Sequence, residues 1–236
     1  MFNIFTPKTP QLGSTIKFFK GGGRSYIQQL PALVKDEVVV LNAYPTESAK
    51  ACRTVIKNLQ NKEMGYHDYN LLLADKELEG DYLEVKEFAR KRGFGELLRL
   101  ASIIEMKANN LNKITLSSLP EAVKFHAHYG FYPDAKAPGT IRSILEDINL
   151  DDKFDDLASK ASELLEYFYS GNVDVTRPDN LRRVNKFFAD FIDRCPAYRS
   201  PGFSKGINMI LTEEKLKANS DFYNNLFEKH KINFEV

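Results

Sequence analysis

The chain has 236 residues with 33 Lys and Arg against 32 Asp and Glu, enough length for one large domain or a domain of about 150 residues with an elaboration. That balance leaves no global basic field of the kind that marks a nucleic-acid partner. Cys52 and Cys195 stand far apart without Cys-x-x-Cys or Cys/His spacing, which excludes a disulfide scaffold and a zinc site.

The opening "MFNIFTPKTPQLG" lacks the basic-then-apolar form of a signal peptide. No apolar run approaches the roughly 20 residues that span a bilayer. The expectation is a soluble, cytoplasmic protein with no membrane partner.

In chain order, "KGGGRS" (20–25) reads as a flexible turn after "IKFF", because no helix start follows it. "DEVVVLNAY" (36–44) is β-branched and bounded by Asp36 and Pro45, so it is a predicted strand. In 45–62, Ala51, Cys52, Val55, Ile56 and Leu59 have helical spacing, and Thr46 or Ser48 can cap that helix. "DYNLLLAD" (68–75) is a strand, and "ELEGD" turns it back into "DYLEVKEFA" (81–89). Residues 95–110 carry one apolar stripe from Leu97 to Ala108 and form the clearest helix. "KITLS" (113–117) is a strand. "SLPEAVKFHAHYGF" (118–131) then offers a Ser118/Glu121 capping box, Pro120 in the first turn and a Gly130 stop.

From about 135 to 200 the pattern is helix after helix, with "INMILTEE" (207–214) a strand and "SDFYNNLFEKHK" (220–231) a last helix. Alternating strands and helices imply an α/β class with at least one parallel pair. The domain reading is a core over 1–134, a helical elaboration over 135–203, and a strand and helix over 204–236 that can rejoin the core.

The stretch "YLEVKEFARKRGFGELLRLASIIEMK" (82–107) carries the chemistry. Three basic residues and two glycines at a strand–helix joint suit a polyphosphate. Glycine lets backbone N–H groups approach phosphate oxygens, and a helix start adds unpaired donors and a positive dipole end. Arg90 and Arg92 can add charge-assisted bonds. The glycines fit neither a P-loop, which ends Gly-Lys-Ser/Thr, nor the dinucleotide fingerprint, whose third glycine is Leu98 here.

Arg90-Lys91-Arg92-Gly93-Phe94-Gly95 resembles the Gln/Arg-x-x-Gly-x-Gly/Ala loop of the GNAT superfamily of acyl-CoA-dependent N-acyltransferases. "LEVKEFARKRGFG" is similar to that family's strand–loop junction, with Leu83 and Val85 in strand positions, and Ala122 to Phe131 is similar to its later "AxxxYxxxGF" helix ending. The resemblance covers roughly residues 36 to 132. It implies a GNAT-like mixed sheet flanked by helices, here with an additional helical segment in the C-terminal half.

It further implies acetyl-CoA as co-substrate. The pyrophosphate would lie on the backbone of Lys91, Arg92, Gly93, Phe94, Gly95 and Glu96 beside Arg90, with the pantetheine arm along Val85. A deprotonated primary amine of an acceptor, small molecule or protein, would attack the thioester, and an acid would protonate the thiolate. No metal takes part in that chemistry.

The chain departs from the family pattern at three places. The family's acid tyrosine falls on His126, its loop proline on Glu87, and Leu119 replaces an asparagine that often precedes the later helix. Tyr129 and Tyr132 are the neighbouring alternatives to His126. Alignment with lysine-directed members places Glu79 as the base, with Asp81 and Glu84 as competitors and a hairpin-end surface charge as its plain alternative.

His67 and His128 read as solvent-facing, "LLEYFYS" and "FFADFI" as core, and the acidic run over 146–166 as a solvated helix face. Two rival readings stand beside the enzyme. One is a catalytically degenerate GNAT fold acting as a CoA-responsive module, the other an interaction protein working through its helical region.

Overall fold

A computed structural model describes residues 11–47, 51–119, 122–133, 159–163 and 207–236. The chain divides into two compact units, one made of residues 1–114 with 213–236 and the other of 115–212. The boundaries expected at 134/135 and 203/204 lie outside the described residues, as does the helical segment except for 159–163, which are helical.

The first unit opens with a hairpin of β1 (Lys17–Gly21) and β2 (Arg24–Gln28). Its two-residue turn, Gly22-Gly23, has φ of 58° and 76°. Positive φ at both positions matches the twist of the flanking strands and needs glycine. "KGGGRS" is therefore a turn, as its composition implies.

Five antiparallel strands follow in order: β3 (Leu30–Val34), β4 (Glu37–Pro45), β5 (Ala51–Asn58), β6 (Glu63–Leu72) and β7 (Glu77–Val85). β5 overturns the expected helix over 45–62. Its Val55 and Ile56 are both buried, one toward each face of the sheet. A strand covered on both sides carries consecutive apolar residues, and here these imitate a helical period. Thr46 does not cap a helix; its N–H and hydroxyl both donate to the Ala51 carbonyl, at 2.9 and 3.1 Å.

The β6–β7 turn also differs from expectation. It lies at 73–76, where the Asp75 and Lys76 N–H groups donate to the Leu72 and Leu73 carbonyls. "ELEGD" is thus part of β7, and Asp81 is the extra residue of a bulge between the Asp68–Tyr82 and Tyr69–Gly80 pairs.

Helix α1 (Phe94–Ala108) packs on β2, β5, β6 and β7 and is buried at every position from Glu96 to Met106. Each fully buried Leu or Ile on it contributes on the order of 1.5–3 kcal/mol. Its Glu105 and Asn109 side chains act as the missing neighbour of β2. Glu105 Oε1 accepts the Ile27 N–H at 2.7 Å, Asn109 Oδ1 accepts the Ser25 N–H at 2.7 Å, and Asn109 Nδ2 donates to the Ser25 carbonyl at 2.9 Å.

After α1, β8 (Lys113–Ser118) starts alongside the start of β7. The Asn112 N–H donates to the Lys76 carbonyl at 2.9 Å, and Lys113 pairs with Glu77 at 2.6 Å. First residue meets first residue, so the two strands run the same way and the sheet is mixed. The unit ends with α3 (Glu213–Ala218), which the apolar pattern did not reveal, and α4 (Ser220–Lys229), which it did.

In the second unit, β10 (Ile207–Thr212) lies between β8 and β9 (Tyr132–Pro133) and pairs antiparallel with β9. Helix α2 (Val123–His128) stops at Gly130, whose φ is 78°. Ser118 is not its cap: it is the last residue of β8, and its hydroxyl donates to the Leu119 carbonyl at 2.9 Å. No described helix is long and apolar enough to cross a membrane.

Candidate functional site

The strand–helix joint is built stepwise from β7. The Lys86 N–H donates to the Met64 carbonyl at 3.0 Å, holding the strand exit against β6. Gly65 opposite Val85 makes that closeness possible, since a Cβ there would stand 2.6 Å from the Glu84 carbonyl oxygen. One 3-10 turn, Glu87–Ala89, buries Ala89 and leaves Arg90 exposed, with Nε donating to the Val85 carbonyl at 3.3 Å.

Two residues then take positive φ: Lys91 at 61° and Gly93 at 108°. Gly93 is the residue before α1, and no side chain caps the helix. The first bond inside the helix runs from the Leu97 N–H to the Gly93 carbonyl at 3.1 Å. The N–H groups of Phe94, Gly95 and Glu96 therefore have no acceptor within the helix, and they point along its positive end.

The loop side chains separate by role. Arg90 and Lys91 are exposed, Gly95 is half-buried, and Phe94 lies in the core. Arg92 is half-buried, ion-paired to Glu37 of β4 and placed over the Phe94 ring at 5.2 Å. Glu96 turns inward, where Lys229 Nζ and His230 Nε2 both contact its Oε1, at 2.6 and 2.7 Å. Burial alone would raise the Glu96 carboxyl, but the hydrogen bonds from His230 and Lys229 outweigh it and hold the group at about 2.

Among the candidate bases, Glu79 lies within β7, not in a turn. It is exposed and accepts from Asn70 Nδ2 at 3.1 Å. Asp81 is exposed at the bulge. Glu84 faces Tyr66 across the strand pair, and a hydrogen bond from that phenol holds its carboxyl below the usual range. Tyr66 in turn is raised to about 12, by burial first and by Glu84 second. It lies under the Arg53 guanidinium, 4.2 Å from the ring centroid, and 5.9 Å from the Tyr82 ring.

In the second unit, His126 and Tyr129 share one face of the short helix. His126 is 6% and Tyr129 8% exposed. The Phe125 ring meets both at 5.1 Å, and Phe131 meets His126 at 5.9 Å. The His126 carbonyl accepts the Tyr129 and Phe131 N–H groups at the helix end. His128 is exposed, as expected. His67 is not: it is 1% exposed, with Nδ1 at 3.1 Å from Ser102 Oγ. It alternates inward on β6 with Tyr69, at the two-residue period of a strand.

Among the described residues no group of three or more His, Cys, Asp or Glu side chains is arranged to hold a metal ion.

No protein-family model matches the chain, and no curated protein sequence does. Among solved structures, the chain is similar to Tetrahymena GCN5, with 19% identity over 36% of this chain and 52% of that one, at a TM-score of 0.34. It is also similar to spermidine N-acetyltransferase from Vibrio cholerae in complex with CoA and spermine, with 19% identity over 38% of this chain and 55% of that one, at 0.34. A third, nourseothricin acetyltransferase, shows 13% identity over 44% of this chain and 68% of that one, at 0.34. The chain spans about half the length of the first two. Each likeness covers less than half of this chain.

Proposed function

We propose that the protein is an N-acetyltransferase that moves an acetyl group from acetyl-CoA to a primary amine by direct attack. One observation carries this reading. The joint that resembles the GNAT loop has Gly93 at positive φ before an uncapped helix start, with Arg90 and Lys91 exposed beside it. That is the arrangement a pyrophosphate needs: backbone donors, a positive dipole end and exposed cations. Arg92 shapes the loop through Glu37, so its contribution is positional. Glu96 supplies its backbone N–H only.

In this reading Val85 lies along the pantetheine arm, His126 is the acid toward the departing thiolate with Tyr129 as its neighbour, and Glu79 is the base. Calorimetry with acetyl-CoA is the test. The wild-type chain binds. Gly95→Asp, whose carboxylate suits a helix first turn but opposes phosphate, stays folded and loses binding. An unchanged affinity in folded Gly95→Asp overturns the acyl-CoA site.

A second reading, a CoA-responsive binding module without turnover, is favoured by the exposure of Glu79, which lacks the burial that sharpens a base. Thiol release over a panel of amines and peptides separates the two.

A further inference from the structure

The imidazole of His230 is 2% exposed and is held between two acceptors. Nδ1 lies 2.7 Å from the Leu33 carbonyl oxygen, and Nε2 lies 2.7 Å from Glu96 Oε1. A carbonyl has no proton to give, and neither has a carboxylate at neutral pH. Both contacts therefore require an N–H from the ring, which makes it an imidazolium. The backbone agrees with this seat, because the Leu33 N–H donates to the His230 carbonyl at 2.9 Å. The charged neighbours are Glu96 on α1 and Lys229 on α4, with Arg99 one turn further along α1.

Two cations thus share one carboxylate at the third residue of α1. That carboxylate belongs to the same first turn of α1 that carries the N–H groups of Phe94, Gly95 and Glu96. We infer that His230, as an imidazolium, is the positioning residue of the phosphate loop. It pins the first turn of α1 through Glu96 and adds a positive charge to the loop's field. This rests on the acyl-CoA reading above.

The test uses the full chain. Nitrogen-15 NMR of the His230 ring reads its protonation directly, and acetyl-CoA affinity is measured for the wild type and for His230→Gln. The expected result is two protonated ring nitrogens in the wild type. His230→Gln should fold and bind acetyl-CoA about tenfold more weakly. A neutral His230 ring overturns the inference, as does an unchanged affinity in folded His230→Gln. If the ring is an imidazolium and no acetyl-CoA binds, the acyl-CoA reading is what fails, and the loop role falls with it.

Discussion

Glu105 Oε1 accepts the backbone N–H of Ile27 at 2.7 Å, so a helix side chain completes the edge of a strand. Glu105 is 0% exposed, and burial pushes its carboxyl up to about 8, against hydrogen bonds from Ile27 and Tyr69. Between about pH 4.5 and 8 the folded chain holds a proton there that the unfolded chain releases. Stability must therefore fall with rising pH across that window. Glu105→Gln keeps the acceptor for Ile27 and cannot ionise. Melting curves from pH 5 to 9 should show the variant losing this slope and exceeding the wild type above pH 8. Parallel curves would show that Glu105 does not carry the effect.

Glu96 gives the opposite sign. Its carboxyl is held at about 2 by His230 and Lys229, despite burial. The stabilisation is complete above the unfolded value near 4.3 and is lost as pH falls toward 2, a contribution on the order of 3 kcal/mol. Acid titration followed by circular dichroism should find Glu96→Gln less stable than wild type at pH 6, with the gap closing by pH 2.

Gly93→Ala should cost about 1–3 kcal/mol, because φ of 108° lies outside the ordinary range of an L-residue. Crowding is not the cause: an added Cβ would meet only Val34 Cγ1, at an ordinary 3.6 Å. Gly93→Asn should cost less, since asparagine enters positive φ more readily. Thermal melts of the two variants decide this, and equal melting temperatures for wild type and Gly93→Ala would contradict it.

His126→Ala should lower turnover by roughly ten- to a thousandfold while leaving acetyl-CoA affinity nearly unchanged. An ordinary imidazole loses its proton some three to four units below a phenol. His126→Tyr should therefore keep activity and move its alkaline limit upward. Normal turnover of His126→Ala at every pH would leave the histidine a packing residue among Phe125, Tyr129 and Phe131, with Tyr129 next to be tested.

The loop and α1 were legible because local rules decide them. Gly93 and Gly95 sit before an unbroken apolar stripe, and Gly130 stops α2 where a glycine should. β5 imitates a helix in the sequence because a central strand covered on both faces has no alternation to show. Gly80 and Asp81 look like a turn beside Glu79, whereas here they mark a bulge within β7. Glycine in a strand often has that meaning. Nothing local could pair Glu96 with His230, which is 134 positions away. Contacts of that separation are chosen by the topology of the whole unit.

Residues 213–236 return to the unit formed by the first 114. The His230–Leu33 contact closes a separation of 197 residues. On a ribosome, the β-sheet of this unit emerges long before the histidine that seats Glu96. Until then α1 starts with an uncompensated carboxylate, and the cost of closing so long a loop falls late in folding. Residues 213–236 thus act as a latch: the loop before α1 reaches its final form only once synthesis has passed His230.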